Sequence, residues 1–161
     1  MGSSKLTSKL SDLRVLVTRP LHQHASLCSA IEDNGGEAKH FPLFAIEPVN
    51  EPILVQQIKT KVENLDNYQL IIFISTNAVK FGAPWINDYW QRFPVGVGVL
   101  AMGPSTARKV SIELDCGVVT SDAGASSEDI LLLDELADIS GSKVAIVRGI
   151  GGRELLAESL R

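Results

Sequence analysis

The sequence is poor in the residues from which most specialised sites are built. It holds two cysteines and three histidines in 161 residues. Cys28 falls in a helical apolar pattern and Cys116 beside a turn glycine, far apart in the chain. Both read as buried structural thiols rather than as a disulfide or a nucleophile. His22 and His24 stand two apart at the start of a helix and so face different directions, and no carboxylate or cysteine joins them at ligand spacing. His40 reads as exposed. No metal site is expected. Lys and Arg number 15 against 19 Asp and Glu, a formal net charge of −4, and no clustered basic face offers itself to nucleic acid or an anionic membrane. No apolar run approaches a membrane span and no signal-peptide pattern opens the chain, so a cytoplasmic protein is expected. There is no Walker A sequence, and Gly149-Ile150-Gly151-Gly152 departs from the spacing of a dinucleotide fingerprint.

What is present is apolar content, 45% of residues, distributed on one repeating plan. "LRVLVTRP" is a β-branched run followed by "LHQHASLCSAIEDNGG", where Leu27, Ala30 and Ile31 share a helical face and Gly35-Gly36 ends the helix. "YQLIIFIST" is an unbroken apolar run, as a strand covered on both faces requires, and it turns at Ser75-Thr76-Asn77 into "AVKFGAPWINDYW". There Trp85, Tyr89 and Trp90 fall at helical spacing and read as packing residues. "VGVGVLAMG" turns at Gly103-Pro104-Ser105 into "TARKVSIEL". "CGVVTSDAGASSEDILLLDEL" gives strand, loop and a helix with Ser126 or Ser127 as N-cap, and "SKVAIVRG" turns through "IGG" into "RELLAESLR". Alternating strands and helices of this kind predict an α/β fold, a doubly wound parallel sheet with flanking helices.

One segment breaks the plan. Residues 40–52 carry three prolines around an extended apolar stretch, which excludes a helix and disfavours a central strand. The expected organisation is a tail over 1–12, a βα unit of an incomplete first domain over 13–39, an extended linker over 40–52 and an α/β domain over 53–161. A single strand and helix cannot bury a core alone, so the first unit is expected either to exchange elements with another copy or to be poorly ordered.

The chemistry sits at the junctions. In an open α/β sheet each strand-to-helix turn aims peptide N–H groups at the same edge, where helix N-termini favour anions. The candidate donors are Ser75, Thr76 and Asn77; Gly103, Ser105 and Thr106; Ser126 and Ser127; and Gly149, Gly151, Gly152 and Arg153. Arg19, directly after the first strand, is a further candidate. Arg148 and Arg153 either face the crevice or pair with Glu154 or Glu158. Asp129, Asp134, Glu135 and Asp138 read as a solvated helix face, and no pair of carboxylates is set up for general acid–base work.

"VLVTRP", "FISTNAV", "AMGPSTA", "SSEDILL" and "VAIVRGIGGRELLAESL", in this order, resemble the uroporphyrinogen-III synthase family from about Leu13 to Arg161. The resemblance implies two α/β domains joined by a two-stranded ladder. It implies a cofactor-free lyase that cyclises hydroxymethylbilane with inversion of the last pyrrole ring and loss of water, in tetrapyrrole and heme biosynthesis. It points to Arg19, Ser75, Thr76, Asn77, Gly103, Ser105, Thr106, Ser127, Gly151 and Arg153 as contacts for the substrate's carboxylates, Thr106 foremost. The family's tyrosine, proposed to assist loss of the hydroxyl, follows the last helix and has no counterpart in Tyr68 or Tyr89, so no proton donor is assigned. With no helix stop in "LLAESLR", the chain reads as an inactive N-terminal fragment of a monomeric enzyme, itself able to form an element-exchanged dimer. Two other readings stay open: a non-catalytic α/β domain binding an anionic metabolite or nucleotide, and an interaction domain recruiting partners by strand addition.

Overall fold

A short apolar run forms the first element, β1 (Arg14–Val17), and burial alternates along it: Val17 is buried, Val15 half-buried, and Arg14 and Leu16 exposed. This is the computed structural model of the chain, and it describes residues 9–121, 124–151 and 154–161. They form two compact units that divide between Pro48 and Val49.

In the first unit, α1 (Ala25–Asp33) buries Ile31, and Asn34 Nδ2 donates to the Ala30 carbonyl at 2.8 Å as the helix ends. The chain then forms β2 (Glu37–His40), parallel to β1, with Arg14 opposite Glu37 and Val17 opposite His40. No strand was expected here. Its charged residues, Glu37 and Lys39, share the exposed side, while Ala38 and His40 are half-buried, which is the period-2 pattern of a one-sided strand. His40 therefore ends a strand instead of beginning an exposed linker. Its ring stacks on that of His24 with centroids 3.7 Å apart and planes 9° apart, and its Nε2 lies 2.8 Å from the Arg19 carbonyl. Residues 41–51 contain no helix or strand, in keeping with their prolines.

The second unit opens with α2 (Pro52–Glu63), a helix that the strand-and-turn pattern did not anticipate. Pro52 occupies its first turn, where the missing N–H costs nothing, and Leu54, Val55, Ile58 and Val62 make its half-buried stripe. Four strands follow: β3 (Leu70–Phe73), β4 (Gly98–Ala101), β5 (Val119–Thr120) and β6 (Val144–Val147). They form one parallel sheet in the order β5-β4-β3-β6. The helices are α3 (Thr76–Tyr89), α4 (Pro104–Leu114), α5 (Ser127–Leu131) and α6 (Leu155–Ser159).

The pleat sorts the sheet's side chains into two cores. Ile71, Phe73, Val99 and Ala101 meet Val79, Ala83 and Ile86 of α3 and Val110 and Leu114 of α4. Leu70, Ile72 and Leu100 meet Ile130 of α5, Leu136 and Leu156 of α6 on the opposite face. Helices thus cover both faces, and the fold is a doubly wound α/β sheet. Trp90 ties the outer layer down, its Nε1 donating to the Val62 carbonyl at 2.8 Å, so it packs as expected, whereas Tyr89 stays exposed. Among the described residues no helix is long and apolar enough to cross a membrane.

Candidate functional site

The order of the strands selects an edge and a position on it. From β3 the chain moves outward to β4 and β5, then returns to β6 on the other side of β3. The reversal lies between β3 and β6, and crevices at such reversals, outside the carboxyl ends of the strands, are where α/β sheets bind ligands. The register makes those ends level. Phe73 lies opposite both Ala101 and Val147, and Ala101 lies opposite Thr120, so four turns leave from a single row.

Each turn has its own chemistry. Ser75 is the N-cap of α3, in extended conformation, with Oγ accepting from the Ala78 N–H at 3.1 Å. Thr76 and Asn77 follow in the first turn, all three half-buried. Gly103 caps α4 at φ +81, where its missing side chain is a necessity: a Cβ there would come within 2.7 Å of Ala125 Cβ. The turn before α4 and the loop before α5 therefore touch. Ser105 is exposed, but Thr106 is only 3% exposed and lies in the buried stripe Thr106, Val110, Leu114. Thr106 thus stands in the first turn of α4, directly after exposed Ser105, with most of its surface packed against the core. Thr120, at the end of β5, keeps a buried Oγ1 without a hydrogen-bond partner among the described residues.

At α5 the N-cap is Ser126, and Ser127 is the first helical residue, half-buried. Asp129 is not the solvated acid expected. Its Oδ2 accepts from Ser126 Oγ at 2.6 Å and from the Ser126 N–H at 2.9 Å, while Ser126 Oγ accepts from the Asp129 N–H at 3.2 Å. The Ser-x-x-Asp spacing of a capping box was the signal for it. These bonds, that from the Ser126 side chain foremost, hold the Asp129 carboxyl below its usual range. A depressed folded-state value contributes stability that is present above the unfolded value and is lost as pH falls through the folded one. Asp129→Ala should therefore lower Tm at neutral pH, and the gap from wild type should narrow as pH falls below the ordinary aspartate range, on thermal melts across that range.

The last turn follows β6. Gly149 and Gly151 are exposed, and a Cβ at either would meet nothing within 4 Å. Gly151 needs its φ of +79; Gly149 needs neither a positive φ nor the space. Arg148 reaches over the turn, Nη2 donating to the Gly151 carbonyl at 2.6 Å and to Glu154 Oε1 at 2.7 Å. The Arg148–Glu154 pairing is one of the two arrangements the sequence left open. Gly152 and Arg153 lie outside the described residues. Arg19 lies on the first unit, exposed after β1.

Cys116 is half-buried, and burial, with the neighbouring Asp115 carboxylate, pushes its thiol up, away from reactivity. Among the described residues no group of three or more potential metal ligands assembles.

Comparison with known proteins agrees with this architecture. The chain is 31% identical over 149 residues to the uroporphyrinogen-III synthase of Proteus mirabilis, covering 92% of this chain and 73% of that protein. It is 29% identical over 148 residues to that of Escherichia coli and 32% over 149 to that of Salmonella typhimurium. Each match takes in 92% of this chain, which spans 59% of either relative's length. In fold it is similar to uroporphyrinogen III synthase from Thermus thermophilus. The wild type gives a TM-score of 0.52 at 18% identity and a mutant form 0.64 at 19%, each over 92% of this chain and 56% of that one. The family described as uroporphyrinogen-III synthase HemD matches residues 25–161, and the chain belongs to that family.

Proposed function

We propose that the rim formed by the four turns grips carboxylates of hydroxymethylbilane, and that the chain takes part in cyclising it to uroporphyrinogen III with inversion of the last pyrrole ring and loss of water. The observation that supports this reading is the level row of strand ends, from which the turns that carry Ser75, Thr76, Asn77, Gly103, Ser105, Thr106, Ser127 and Gly151 leave. A linear tetrapyrrole bearing eight carboxylates needs many dispersed donors more than one strongly basic pocket, and hydroxyls and peptide N–H groups at the turns supply most of them in a chain of net charge −4. The reaction asks the protein to hold an already reactive substrate so that inverting attack outruns direct closure, which is work for orientation and preorganised dipoles. The same reading places Arg19 and Arg153 among the carboxylate contacts, residues 13–39 in an incomplete first domain, and the protein in the cytoplasm, as a monomer at full length and as an element-exchanged dimer where the first unit lacks its cover.

Two measurements test it. Hydroxymethylbilane is supplied and isomers I and III are separated: isomer III above the spontaneous background supports the synthase reading. Isomer I alone, with anaerobic binding of uroporphyrinogen III intact, restricts the chain to the binding step. Absence of binding sinks the reading. Gly149→Ala is the sharper probe of location, because the fold has room for the methyl group. It should leave Tm unchanged yet weaken uroporphyrinogen binding by about tenfold, the order of one carboxylate hydrogen bond forced out of reach.

A further inference from the structure

The rim contains a carboxylate of its own, that of Glu154. Among the described residues of the four turns Arg148 is the one cation, and it stands directly after Val147, whose carbonyl accepts from the Ile74 N–H at 3.4 Å across the β3–β6 reversal. The candidate crevice thus has its positive charge beside the β3–β6 reversal, at the end of the edge strand β6. That charge is taken by Glu154, 2.7 Å away and six residues on, with side chains 20% exposed for Arg148 and 52% for Glu154. Glu154 stands at the N-cap of α6, yet its side chain caps nothing there and is spent on the arginine. The other bond from the same nitrogen, to the Gly151 carbonyl, belongs to the turn's backbone and holds the guanidinium in place independently of Glu154.

We propose that Glu154 is an internal placeholder for one ligand carboxylate, displaced from Arg148 when an anionic tetrapyrrole occupies the rim. This rests on the reading of the rim as a carboxylate-binding edge. An ion pair that is half open to water contributes little, so exchanging one carboxylate for another costs little. A guanidinium held by the Gly149 carbonyl through Nε and by the Gly151 carbonyl through Nη2 stays in position through the exchange, and the Nη2 hydrogen released by Glu154 can take an incoming carboxylate. Glu154 then acts as a specificity element. A ligand with a single carboxylate gains nothing by replacing a tethered one, whereas a ligand held at several other turns delivers its carboxylate at high local concentration.

The placeholder predicts a sign that a supporting ion pair does not. Uroporphyrinogen III is titrated anaerobically by calorimetry into the wild-type chain, Glu154→Gln, Arg148→Gln and the double variant. Glu154→Gln is expected to bind about two- to fivefold more tightly, the range of one exposed competing charge. Arg148→Gln is expected to bind about tenfold or more weakly, as loss of a charged hydrogen bond does. In the double variant the gain from Glu154→Gln is expected to vanish, since there is no longer a cation to release. Glu154→Ala, which leaves no amide near the guanidinium, should repeat the gain, and thermal melts of each variant show whether the fold is retained. Equal or weaker binding by both Glu154 variants overturns the placeholder while leaving the rim intact. Wild-type chain that binds no uroporphyrinogen overturns the rim itself.

Discussion

Gly103→Ala is expected to destabilise the second unit by about 2–4 kcal/mol, through two effects that can be measured apart. The first is backbone strain: φ is +81 with ψ 158, a conformation essentially confined to glycine. The second is overlap, because the new Cβ would stand 2.7 Å from Ala125 Cβ, where real Cβ atoms are essentially never found. Gly151→Ala isolates the first effect, since φ there is +79 but nothing lies within 4 Å, and it should cost about 1–2 kcal/mol. Gly103→Ala combined with Ala125→Gly removes the overlap and should recover the difference. Urea unfolding followed by Trp85 and Trp90 fluorescence reads all three. If the double variant recovers nothing, the close approach of the two turns is wrong. That approach matters for function, because it fixes the turn before α4 against the loop before α5, two of the four turns in the rim. Gly103→Ala should therefore also weaken uroporphyrinogen binding in the fraction that remains folded.

The elements legible in the sequence are those whose own residues decide their structure. "LIIF" is apolar on both faces of the pleat, and it is the strand buried on both sides. Ser75 and Ser126, ahead of helical patterns, are both N-caps with their side chains bonded as N-caps are. The gathering of the turns at one edge followed from the alternation of strand and helix alone. What was not legible depends on partners. Glu37-Ala38-Lys39-His40 has no β-branched residue and becomes a strand because β1 supplies the ladder and α1 covers one side. His40 is half-buried for the same reason, stacked on His24 from a helix start far away in sequence. α2 was overlooked although its Pro52 start and its stripe of Leu54, Val55, Ile58 and Val62 carried the signal. The burial of Thr106 was legible as well, apart from the turn chemistry of its hydroxyl. The spacing to Val110 and Leu114 marked it as the first residue of a buried helical face.

Phe73→Ala is expected to produce the largest loss of stability among these substitutions, about 3–5 kcal/mol. Phe73 is fully buried, closes β3 and pairs with Ala101 on one side and Val147 on the other. Its ring lies near Gly82 of α3, and its carbonyl accepts from the Met102 N–H at 2.9 Å, at the first residue of the turn toward α4. Removing the ring opens a cavity under the middle of the level row, at a site walled by strands on both sides and so little able to collapse. The loss is comparable to the lower end of the whole stability of a small domain, so the variant should be partly unfolded at physiological temperature. Leu132→Ala, at an exposed leucine, should change stability by less than about 0.5 kcal/mol and serves as the reference. Ligand linkage then separates core from rim. Uroporphyrinogen at about a hundredfold excess over its Kd should return about 2.7 kcal/mol to Phe73→Ala, because its binding groups are unchanged once the fold is regained. The same concentration should return clearly less to Phe73→Ala combined with Gly149→Ala, in which the rim itself is obstructed. Equal recovery in the two would mean that the ligand holds the second unit somewhere other than this edge.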